Sequence, residues 1–75
     1  MREQLIKAAL AEFESIALKS RANLEVYLSS AAGIGEHSDV VGEIVKLTTE
    51  ITEAEDNIKT LEELLASCFH GEING

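Results

Sequence analysis

The sequence predicts an all-α protein. Its fold is an antiparallel helical hairpin, with helices over about 2–31 and 39–70, that pairs with a second hairpin into a four-helix bundle. Three observations predict this. Apolar residues recur in alternating steps of four and three along both halves of the chain, proline is absent, and a glycine-bearing stretch separates the halves. The whole chain, 1–75, reads as one domain of two helices, a turn over 32–38 and a frayed tail over 72–75.

The second helix is the stronger of the two. Val40, Ile44, Leu47, Ile51, Ala54, Ile58, Leu61, Leu65 and Cys68 keep the four-three alternation without a break, and none is charged. A seam with a repeat of roughly 3.5 residues lets one helix lie along another. The stretch Leu47–Thr52 is rich in β-branched residues and leans locally towards strand. The seam passes through it without a change of phase and no turn residues bound it, so the expectation is helix. Lys46 with Glu50, and Glu55 with Lys59, are spaced to pair at i, i+4 on its outer side. Gly42 is unfavourable in a helix interior. Gly71 is the expected stop, with His70 in the last turn.

The first helix carries Ile6, Leu10, Phe13, Ala17, Ser20, Leu24, Tyr27 and Ala31 at the same spacing. Leu5, Ala9, Ile16 and Leu28 widen the stripe, which suits a bundle better than a strict two-stranded coil. Ser20 is the one polar member of the seam, and a bond back to the Ile16 carbonyl would satisfy its hydroxyl. Arg21 and Glu25 form another expected i, i+4 pair. Tyr27 reads as core with its hydroxyl at the wet edge.

Between the helices lie Gly33, Ile34, Gly35, Glu36, His37 and Ser38. Gly33 suits the left-handed conformation that ends a helix, and Ile34 would pack back on the last turn. Ser38 reads as the N-cap of the second helix, with Asp39 favourable in its first turn. A stop, a turn and a start within so few residues join antiparallel neighbours.

Two helices touching along one line leave part of each broad stripe wet. Closing that stripe against a second hairpin is the usual remedy, so a homo-oligomer is expected, a dimer first. The single cysteine rules out a disulfide within the chain. No basic, apolar leader opens the chain and no apolar run is long enough to span a bilayer, so a cytoplasmic protein without a membrane partner is expected.

The net charge of -8 is unevenly spread. Residues 1–31 balance four basic against four acidic residues, and the entire excess of acid lies beyond them. Such a surface repels phosphate, so nucleic acid is a poor partner. Glu43, Glu50, Glu53 and Asp56 could form an acidic docking face for a basic protein surface. The plainer reading is a solvated helix face.

No catalytic, cofactor or metal constellation emerges. Di-iron bundles need inward acids and a Glu-x-x-His, and neither is present. Cys68, His70 and His37 lack the spacing of a zinc site. Cys68 sits on the seam, where a cysteine packs as a small hydrophobe. Gly33-Ile34-Gly35 lacks the preceding strand and following lysine of a phosphate loop. His37, flanked by Glu36 and Asp39, reads as an exposed turn residue rather than a pH-responsive group.

The segment from Arg21 to Leu28, with the turn Gly33-Ile34-Gly35-Glu36-His37-Ser38-Asp39-Val40, is similar to a small uncharacterised protein of marine tailed phages that infect cyanobacteria. The similarity covers roughly residues 20–65. It implies a viral origin, in the virion or in the host cytoplasm, and it implies no activity and no functional residue. The expected function is that of a non-catalytic, self-associating hairpin acting through protein contacts, as a structural or assembly component. The alternative is an acidic regulatory or inhibitory binder of a host protein.

Overall fold

The computed structural model describes residues 1–30 and 39–74. They form two helices packed side by side, α1 (Arg2–Ser30) and α2 (Val40–Asn74). The expected turn, with Gly33, Ile34, Gly35, Glu36, His37 and Ser38, lies outside the described residues, as does Ala31. Among the described residues there is no strand.

The β-leaning stretch is helical, and its hydroxyls bond back along the helix. Thr48 Oγ1 donates to the Ile44 carbonyl at 2.7 Å and Thr49 Oγ1 to the Val45 carbonyl at 3.0 Å. Back-bonding of this kind satisfies the hydroxyls without itself favouring the helix. The continuous seam then decides the conformation, since tertiary packing overrides a propensity difference of tenths of a kcal/mol.

Two helix boundaries differ from the sequence reading. The start of α2 is capped by Asp39, whose Oδ1 accepts the Gly42 amide at 2.9 Å while its carbonyl accepts from Glu43 at 3.0 Å. Asp39 is thus the N-cap, the role assigned to Ser38, and its carboxylate also meets the positive end of the helix dipole. At the other end α2 runs on to Asn74, past the expected stop at Gly71 and into the tail read as frayed. A glycine ends a helix by entering the left-handed region, and no described glycine has positive φ.

The register of the hairpin is the chain reflected about residue 35. Arg2 Nη1 donates to Cys68 Sγ at 3.5 Å, and Ser20 Oγ donates to Glu50 Oε2 at 3.1 Å. The two pairs share one index sum, so Ile16 is level with Ala54.

Every described seam residue turns towards the partner helix. Ile6, Leu10, Ala17, Leu47, Ile51 and Ala54 are buried. Phe13, Leu24, Tyr27, Val40, Ile44, Ile58, Leu61, Leu65 and Cys68 are half-buried. Yet no described side chain is wholly enclosed. The molecule is a rod of 60 × 16 × 15 Å with a radius of gyration of 17.3 Å, where a compact chain of this length has about 11 Å.

Candidate interaction surface

In an antiparallel helix pair, residues beside the seam on one helix line up with those beside the seam on the other, giving the rod two flanks. One carries Lys7, Glu14, Arg21 and Leu28 from α1 against Val41, Thr48, Glu55 and Glu62 from α2. The opposite flank carries Ala9, Ile16 and Asn23 against Glu43, Glu50, Asn57 and Leu64. In both sets the residues recur every seven positions.

The Arg21 flank is closed by charge. Arg21 bridges to Glu55 across the helices rather than to Glu25 along its own. Among the described residues the other ion pair is Lys7–Glu3 at 3.5 Å. The spaced pairs Lys46–Glu50 and Glu55–Lys59 are not bridged. Glu50 turns inward to Ser20, and Glu55 turns across to Arg21. In both cases a carboxylate beside the seam lies within reach of a donor on the facing helix. An exposed i, i+4 pair offers only tenths of a kcal/mol.

Ser20 is the clearest revision. It is 4% exposed, and its hydroxyl donates to Glu50 rather than to the Ile16 carbonyl. A hydrogen bond to a charged acceptor is the stronger of the two options.

The Ile16 flank is open, and three clefts among the described residues lie along it. The largest, about 410 Å³, runs between Asn23, Val26 and Tyr27 of α1 and Glu43, Lys46, Leu47 and Glu50 of α2. A second lies at mid-rod between Phe13, Ile16, Glu53, Ala54 and Asn57. A third follows between Ala9, Phe13, Thr60 and Leu61. Leu5, Ile16, Val26 and Leu64 stand exposed on or beside this flank.

Three of the four acids proposed as a docking face lie along this flank, and Asp56 does not. Glu43 and Glu50 are half-buried at the largest cleft, where Lys46 sits between them, and Glu53 rims the mid-rod cleft. Asp56 is exposed and lies further round the helix. Cys68 is half-buried, accepting from Arg2 and donating to the Leu64 carbonyl at 3.5 Å. The thiol thus contacts both the start of α1 and its own helix. The side chains of His37 and His70 lie outside the described residues. Among those described, no three His, Cys, Asp or Glu side chains converge on a point that would hold a metal ion, and no helix is long and apolar enough to cross a membrane.

No protein-family model, curated protein or solved structure matches the chain. The surface itself therefore carries the functional argument. Sequence reasoning named the seam but missed the cross-helix contacts of Ser20, Arg21 and Arg2. The signal was available, because reflecting the chain about the middle of the expected turn places Ser20 opposite Glu50 and Arg2 opposite Cys68.

Proposed function

We propose that this chain is a non-catalytic helical-hairpin protein that self-associates and acts through protein contacts. One observation carries the reading. The described core consists of six buried apolar side chains, none fully enclosed, while nine large apolar side chains remain exposed on a thin rod. The chain exposes 5538 Å², whereas a compact monomer of its mass exposes about 4,500 Å². The excess is close to the ~800 Å² that each partner contributes to a standard protein interface. A dimer of hairpins covers that excess and supplies the four-helix core that a lone pair lacks. The proposed role is that of a structural or assembly part.

Absolute mass by light scattering at micromolar concentration tests this. The expected result is a dimer whose melting temperature rises with protein concentration, since association stabilises by mass action. A compact monomer with a concentration-independent transition contradicts it.

The alternative, an acidic binder of a basic surface, has less support. Glu50 is engaged by Ser20, Lys46 sits between Glu43 and Glu50, and Asp56 lies off the cleft. Capture of a host protein that dissolves on raising salt to about 0.5 M would favour it instead.

A further inference from the structure

We draw no further inference here: the strongest candidate, the open cleft between Val26 and Tyr27 of α1 and Glu43, Lys46 and Leu47 of α2, is an unpartnered groove on a rod that exposes large aliphatic side chains on both flanks, and nothing in the structure shows what covers it.

Discussion

Ser20 of α1 and Glu50 of α2 are joined across the helix interface by a 3.1 Å hydrogen bond, and Ser20 is the buried polar residue of the described core. The bond pins the register, because sliding either helix by one turn removes the carboxylate from the hydroxyl. Ser20→Ala should cost about 1 kcal/mol, the net worth of a hydrogen bond whose acceptor keeps some water. Glu50→Ala should then cost much less in the Ser20→Ala background than in the wild type. The double-mutant cycle, measured by urea denaturation at one fixed protein concentration, should give a coupling of about 1 kcal/mol. Additive losses would mean that the two side chains act independently.

The seam narrows around Ser20, where Ala17 and Ala54 are both buried and Ala54 is only 3% exposed. Small side chains there let the two helices approach closely. Ala54→Leu should lose about 1–3 kcal/mol by overpacking, although leucine is both more apolar and a good helix former. Ile51→Ala, one turn away, should lose about 2 kcal/mol or more through the opposite fault, a cavity. Thermal unfolding at equal concentration checks both. A stabilising Ala54→Leu would show that the helices stand further apart than the seam indicates.

The seam was legible because it is a long periodic signal. Every described member from Ile6 to Tyr27 and from Val40 to Cys68 turns inward, so no single substitution blurs the phase. Partner choice was less legible. Spacing along one helix suggests Arg21–Glu25 and Lys46–Glu50, but it cannot weigh a nearby carboxylate on another helix against a closer one on the same helix. Arg21 went to Glu55 and Glu50 to Ser20 because each stands beside the seam within reach of a partner on the facing helix. The cap was misplaced by one residue for a similar reason. Ser38 and Asp39 are both good caps, and the choice between them depends on where the backbone enters the helix, which composition does not encode.

Thr49 is exposed on α2 and bonded back to Val45, in the stretch whose composition leans towards strand. Thr49→Ala should stabilise the protein by about 0.5 kcal/mol, the difference in helix propensity. Circular dichroism during thermal unfolding at matched concentration is sufficient. In a strand the same change would remove a favourable β-branched residue and destabilise, so the sign alone discriminates.

Asp39 and Gly42 are coupled through the cap. A Cβ placed on Gly42 would stand 2.6 Å from Asp39 Cγ, so alanine there must displace the carboxylate that accepts the Gly42 amide. Asp39→Ala alone should cost about 1 kcal/mol, the usual loss on removing an N-cap. Gly42→Ala alone should change stability little, because ~1 kcal/mol of helix propensity is offset by a disturbed cap. With the cap already absent the offset vanishes. Gly42→Ala should therefore stabilise the Asp39→Ala variant by about 1 kcal/mol, the full propensity gain. Measuring the four proteins by urea denaturation closes the cycle. Equal effects of Gly42→Ala in both backgrounds would show that Asp39 can turn aside without losing its hydrogen bond, leaving glycine at this position unexplained by the cap.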